Sequence, residues 1–341
     1  MGTLNIKQIT LVGDVNQLPP ISWGDLFHQV IKSETIPTYK LTTNYRVYTG
    51  SGERDGIILN ANLLISHDAQ YPFEYVQTTN FSIIEGGSDS VYAIINGCYA
   101  SGIKVDQIVI LTPYNRTIEA LNKKFQEIYN KDAIYIIDSR MIKWCLNDRV
   151  MLIENDQDIE VFNGESGIIT DIKDKSIMVN FSGNEGENRT HEFMLEESLC
   201  FKSRYDDDEE YVNKERTVKK LTHANAITID KSQGSEWDFV ILYLPEFNKG
   251  SFLNKNRIYT AITRTKRCCW VVTCDIDCFN IVSVKNQPYR CDNLGKRLKQ
   301  KLPNLQPFKI EAPIQDLEMK GDLPTIPDEY TDNGVDCDDF D

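Results

Sequence analysis

The residues of this chain best suited to chemistry fall in short polar loops that follow apolar runs. In Gly13-Asp14-Val15-Asn16-Gln17-Leu18-Pro19-Pro20, a carboxylate and an amide come just past the β-branched run Ile6 to Val12. Past a buried strand, the Gln17 amide could hydrogen-bond a terminal phosphate or an attacking water; a capped turn is the structural alternative. Thr42-Thr43-Asn44-Tyr45-Arg46 sets one guanidinium after a polar turn. Its planar fork suits phosphate oxygens, although a lone arginine is more often a surface ion pair.

The stretch Thr228 to Asp238 says most. Gly234 could offer its N–H to a phosphate, Glu236 could accept from a ribose hydroxyl, and Thr228, Lys231 and Ser232 could hold a nucleic-acid backbone. A turn with incidental polarity is the competing reading. A helix over Asn256 to Lys266 is expected to expose Arg257 and Arg264, which makes Arg264 a candidate arginine finger.

The elements that must position these loops are legible as periodicity. Ile6 to Val12 and Gln107 to Leu111 predict buried strands, the second leading through Thr112-Pro113-Tyr114-Asn115 into a helix over Ile118 to Asn130. Helices are also expected around Trp23 to Lys32, Gly56 to Ser66 and Lys255 to Thr263, and strands at Ala224 to Ile229, Phe239 to Leu244 and Cys269 to Thr273. This alternation predicts an α/β fold, a parallel sheet covered by helices with ligands at the strand ends. Between Asp148 and about Arg216 the pattern changes to short alternating strands, Arg149 to Ile153, Glu165 to Ile172 and Ser176 to Phe181, which predict a small inserted β-barrel.

Length and composition bound the rest. The 341 residues imply two domains with a smaller insert. With 41% hydrophobic and 26% charged residues and no long uncharged apolar run, a membrane protein is excluded. Met1 to Ile6 lack the basic start and apolar core of a secretory signal, so an intracellular protein is expected, cytoplasmic or nuclear. The net charge is −14, but Glu311 to Asp341 alone hold eleven acids against one lysine, which predicts a disordered acidic tail on a nearly neutral body. Such a body can still present a basic groove. Nine cysteines, with no Cys-x-x-Cys pair, predict reduced thiols and no metal centre. The five acids Asp206 to Glu210 read as a solvated loop, and Lys296, Arg297, Lys299 and Lys301 as a solvated basic helix face before Pro303.

The ordered set GDVNQLPP, LTTNYR, a strand ending in TPYN, NDRVML with VFNGESG, AITIDKSQGSEWD and YTAITRTK resembles the C-terminal part of a superfamily 1B DNA helicase, similar to the RecD family with its UvrD-like helicase C-terminal domain. The likeness covers about Leu11 to Thr273; each motif alone is weak, and the order makes the set specific. It implies a RecA-like parallel sheet, the second motor domain of a P-loop NTPase-type helicase, with a small SH3-like β-barrel insert. The implied boundaries are 1–40 for the end of the first RecA-like domain, 41–146 and 218–280 for the two parts of the second, 147–217 for the barrel, 281–310 for a helical segment and 311–341 for the tail.

The resemblance also implies roles. Gln17 senses the γ-phosphate beside Asp14, Arg46 and Arg264 reach that phosphate across the cleft, Glu236 binds ribose and Gly234 a phosphate. Tyr114, Asn115, Thr228, Lys231 and Ser232 contact single-stranded DNA, along which the family moves from 5′ to 3′. The cofactor implied is ATP with Mg²⁺.

The departures matter equally. No Gly-x-x-x-x-Gly-Lys-[Ser/Thr] occurs, and no apolar strand ends in the Asp-Glu pair that holds magnesium, so the Walker A and Walker B region is lacking. Position 230 is Asp where many relatives have His. The expectation is a motor without its front, inactive as an ATPase alone and needing a first RecA-like domain from a separate chain. A non-catalytic single-strand-binding or regulatory module derived from a helicase is the alternative. A nuclease finds no clustered carboxylates with a positioned Lys or His.

Overall fold

The computed structural model describes residues 9–19, 24–41, 55–66, 74–181, 189–195, 216–246, 253–283 and 293–301. After α1 (Leu26–Ser33) and α2 (Gly56–Ser66) come β1 (Phe81–Glu85), α3 (Ser88–Ala100), β2 (Ile108–Thr112) and α4 (Asn115–Tyr129). A hairpin, β3 (Tyr135–Ile137) with β4 (Lys143–Cys145), leads into β5 (Arg149–Leu152), β6 (Ser166–Ile172), β7 (Ser176–Phe181), β8 (Thr190–Met194) and β9 (Leu221–His223). The chain then returns through β10 (Ala226–Thr228), β11 (Trp237–Leu244), α5 (Lys255–Ile262), β12 (Thr265–Thr273), α6 (Ile276–Ser283) and α7 (Leu294–Lys301).

The central sheet has the order β1-β12-β11-β2-β10 with every pairing parallel. Parallel sheets are covered on both faces, and here Val240, Leu242 and Leu244 point to a core shared with α2 and α5 while Ile241 and Tyr243 point to a core shared with α3 and α4. Trp237 joins the first core although its parity with Phe239 assigns it to the second. A register shift between Trp237 and Phe239 restores the alternation.

The second sheet, β8-β7-β6-β5-β9, is antiparallel. A bridge between Met194 and Thr217 brings β8 to the segment leading into β9, so the two edges meet and the sheet curls into a barrel. Trp144, Ile177, Val179, Phe181 and Phe193 fill it. The expected barrel edge at 217 falls short, because β9 pairs with β5 and belongs to this sheet. At the junction with the parallel sheet, the buried Asp148 carboxylate accepts from Cys145 N at 2.7 Å, from Asn130 Nδ2 at 2.7 Å and from the Gln126 amide, with His223 Nε2 at 3.4 Å. Arg149, whose guanidinium burial pushes down to about 10, donates to the Ile108 carbonyl at 2.6 Å.

Three expectations are corrected. Ile9 to Val12 is not a buried strand: Ile9 and Val12 are 72% and 87% exposed, and among the described residues no strand lies beside them to satisfy their backbone groups. The helix expected at Lys255 to Thr263 holds to within a residue, but its extension to Lys266 fails, because Thr265 to Thr273 is claimed by β12, whose register against β11 begins at Thr265. Arg264 consequently lies in the turn between them and is 3% exposed rather than displayed. Cys268 and Cys269 are buried hydrophobes, the second with its thiol pushed up to about 12 by burial. The run Asp206 to Glu210, Arg46 and the acidic tail lie outside the described residues.

Candidate functional site

Strand β10 ends at Thr228 and the chain tightens into a single 3-10 turn, Asp230–Ser232. Its sequence explains the turn, since the Thr228 hydroxyl accepts from Lys231 N at 3.1 Å and the Ser232 hydroxyl donates to the Ile229 carbonyl at 2.7 Å. Ser232 is fully buried and Thr228 nearly so, while Lys231 is exposed. Gly234 then takes φ +86° with open space where a side chain would stand. That backbone suits glycine and leaves room for a ligand to approach. Glu236, exposed, pairs with Lys266 Nζ at 2.7 Å.

The charge that Asp230 brings to this loop is answered locally. Arg257 Nη2 lies 3.1 Å from its carboxylate, so the pair sits at the foot of α5 and does not leave a bare anion beside the loop. Asn254 caps that helix, its side chain accepting from Arg257 N at 3.0 Å.

Helix α5 is also what holds the Asp14 to Pro19 loop. Asn256 Nδ2 donates to the Asn16 carbonyl at 3.0 Å, the Thr260 hydroxyl accepts from Leu18 N at 3.0 Å, and the Tyr259 hydroxyl donates to Asp14 Oδ2 at 3.0 Å. From the other loop, Gln233 Nε2 donates to the Leu18 carbonyl at 2.9 Å. Asp14 in turn accepts from Asn16 N at 2.9 Å and from Gln17 Nε2 at 3.4 Å. Arg264 donates through Nε to the Thr260 carbonyl at 3.2 Å and through Nη1 to the Ser235 carbonyl at 3.2 Å.

Asp14, Gln17 and Arg264 are therefore tied into one cluster through Tyr259 and Thr260, and Glu236 follows Ser235, whose carbonyl Arg264 holds. Gly234 borders it, and Arg46 lies outside the described residues. Tyr114 and Asn115 stand apart at the end of β2, where the Tyr114 hydroxyl donates to the Glu246 carbonyl at 3.1 Å and Asn115 is exposed at the head of α4. Sequence reasoning missed the clamp itself, namely Gln233, Asn256, Tyr259 and Thr260. Asn256 and Thr260 stand four apart and share one helix face, which was the available signal.

A five-stranded parallel sheet interrupted by a small barrel defines a class of fold, and two segments of the chain match known families. Residues 223–272 match the UvrD-like helicase C-terminal domain, and residues 121–181 match the ATP-dependent RecD-like DNA helicase SH3 domain. These two segments are thus similar to parts of RecD-like helicases. It is 26% identical over 266 residues to the ATP-dependent RecD2 DNA helicase of Deinococcus radiodurans, a match covering 76% of this chain and 32% of that protein. It is 31% identical over 155 residues to the RecBCD enzyme subunit RecD of Buchnera aphidicola, covering 44% of this chain and 21% of that one. The chain spans about a third or less of these relatives. Among solved structures, a Pif1 helicase from Bacteroides in complex with ADP-AlF3 and ssDNA aligns at 19% identity and a TM-score of 0.47, covering 85% of this chain and 66% of that one. Among the described residues no helix is long and apolar enough to cross a membrane.

Proposed function

We propose that this chain is the C-terminal motor portion of an ATP-dependent 5′-to-3′ DNA helicase, working with a first RecA-like domain that carries the phosphate cradle. The observation that carries the reading is Thr260. Its hydroxyl holds the backbone of the Asp14 to Pro19 loop and its carbonyl holds Arg264, so a phosphate-sensing loop and an arginine share one helix turn.

The residues suit part of ATP. Gly234 leaves a phosphate room to approach its backbone, exposed Glu236 can take a ribose hydroxyl, and Gln17 beside Asp14 faces the γ-phosphate role. The phosphate cradle and the magnesium carboxylates come from the partner domain in this scheme, and ATP hydrolysis supplies the free energy for movement. Arg264, bonded to two carbonyls, must swing outward when the cleft shuts, which couples neutralisation of the γ-phosphate to domain closure. Exposed Lys231 and Asn115, with Tyr114, reach single-stranded DNA, whereas buried Thr228 and Ser232 act by shaping the loop that carries Lys231.

The competing reading is a single-strand-binding module that has lost its motor, and the inward-turned Arg264 is what favours it. DNA-stimulated ATPase of the full chain, alone and mixed with a first motor domain carrying the cradle, decides between them. No turnover alone and DNA-dependent turnover in the mixture is expected, falling about a thousand-fold or more with Arg264→Ala. Turnover by the chain alone that Arg264→Ala abolishes refutes the need for a partner. Strand binding with no turnover in any mixture leaves the binding module.

A further inference from the structure

The parallel sheet has a switch point that the α5 cluster does not occupy. From β2 the chain passes to β10 on one side, and from β11 it passes to β12 on the other, so the winding reverses between β2 and β11. In open α/β sheets, ligand crevices form outside the carboxyl ends of strands at such a place. A cleft of about 440 Å³ lies there, bounded by Tyr243 and Glu246 at the end of β11, by Ser88 at the head of α3, and by Arg116, Thr117 and Lys124 on α4. That is the size of a small-ligand site.

The cleft is open, and its two cations are each countered by a carboxylate. Arg116 pairs with Glu246, and Lys124 Nζ lies 2.8 Å from Asp89. The Arg116 and Asp89 side chains are 65% and 95% exposed, and exposed pairs contribute little to stability, so each cation can exchange its carboxylate for a polyanion. Neither Gly87 before α3 nor Tyr114 before α4 supplies a side-chain cap, which leaves first-turn N–H groups of both helices for an anion or water. Tyr92 and Tyr243 are buried, and Lys124 Nζ lies over the Tyr92 ring, 4.6 Å from its centroid, so the cleft suits phosphate rather than a stacked base. Arg116 also lies over the Tyr114 ring, 5.8 Å from its centroid, which joins the cleft to the Tyr114-Asn115 loop.

We propose that this cleft is a phosphate-binding subsite that continues the path of a single-stranded nucleic acid beyond Tyr114 and Asn115, with Arg116 and Lys124 taking the phosphodiester oxygens. The inference rests on the single-strand-binding reading above and adds two cations outside its assigned contacts.

Fluorescence anisotropy of the full chain with a labelled oligothymidylate, over a salt series, tests it. The double variant Arg116→Gln, Lys124→Gln should bind several-fold more weakly, with the slope of log affinity against log salt reduced by about 1.4, or about 0.7 per phosphate contact. Asp89→Asn, which releases Lys124, should tighten binding, and Lys104→Gln, before the amino end of β2, should change nothing. Should the double variant not fold, Lys124→Gln alone carries the test at half the slope change. A folded double variant that keeps wild-type affinity and slope overturns the subsite. So does a chain whose melting temperature pyrophosphate raises through Arg116 and Lys124 while oligothymidylate binding ignores both, for that is a small-anion site. A wild-type chain with no oligothymidylate affinity sinks the single-strand reading and this subsite together.

Discussion

In β2 every residue from Ile108 to Thr112 is buried, whereas β6 buries Ile169 and leaves Thr170 and Asp171 in solvent. The parallel sheet is therefore apolar along its length and can carry polar chemistry only where its strands end, which is where the Thr228 to Glu236 loop and Tyr114 sit. The barrel has an outer face free for polar groups, and it also uses charges inside. Asp156 is nearly buried between Lys220 Nζ at 3.0 Å and Arg216 Nε at 3.3 Å, and the Asp138 carboxylate accepts from Ile142 N at 3.0 Å and Arg140 Nη2 at 2.8 Å. One region is held by apolar contact on two faces; the other adds ion pairs to a small core.

That contrast can be broken by mutation. Trp144→Ala, which empties the largest fully buried side chain of the barrel, should cost about 4 kcal/mol by urea denaturation, while hydrogen exchange in β11 slows or holds relative to β7. Equal loss in both regions would show that they unfold as one. Asp148→Ala strands the Cys145 amide and the Asn130 side chain at the junction and should cost about 3 kcal/mol, with Asp148→Asn recovering part of it. Thr260→Val removes the acceptor for Leu18 N and should cost about 1 kcal/mol, read most directly as faster exchange of the Leu18 amide with β7 unaffected.

Acid should give the smallest effect and sharpen the contrast furthest. Burial alone would raise the Asp156 carboxyl, but the Lys220 hydrogen bond with the Lys220 and Arg216 charges outweighs it and holds the group below the usual carboxylate range. Asp138 is lowered likewise, burial being overcome by the Ile142 amide, Arg140 and Trp144. A folded state that binds a proton more weakly than the unfolded chain gains stability that is complete above about pH 4 and is lost as pH falls through the depressed value. Exchange in β7 should therefore accelerate before exchange in β11 on acidification, and Asp156→Asn should flatten that response.

How much could be read in advance follows from the same contrast. β2, β7, β11 and α2 are legible because runs of apolar residues mark elements buried in a core. The Ile6 to Val12 run has the composition of a core strand, and only the absence of a neighbouring strand among the described residues exposes Ile9 to Val12. The extension of α5 to Lys266 fails because Thr263-Arg264-Thr265-Lys266 suits a helix or a strand, and pairing with β11 decides it. Helix α3 escaped notice since Val91, Ile94, Ile95 and Gly97 are weak helix formers that tertiary packing overrides. In the site, reactive residue types announced themselves; the clamp from Asn256 and Thr260 to the Asp14 loop did not, because it joins positions some 240 residues apart.

The barrel leaves the sheet after α4 and re-enters through β9, with only Ala224 and Asn225 before β10. Strand β10 is the sheet's outermost member, bonded on one side to β2, and its last residue is Thr228. A displacement of the barrel thus reaches the Gly234 and Glu236 loop along three residues of an edge strand, whose hold on the other four strands runs through β2 alone.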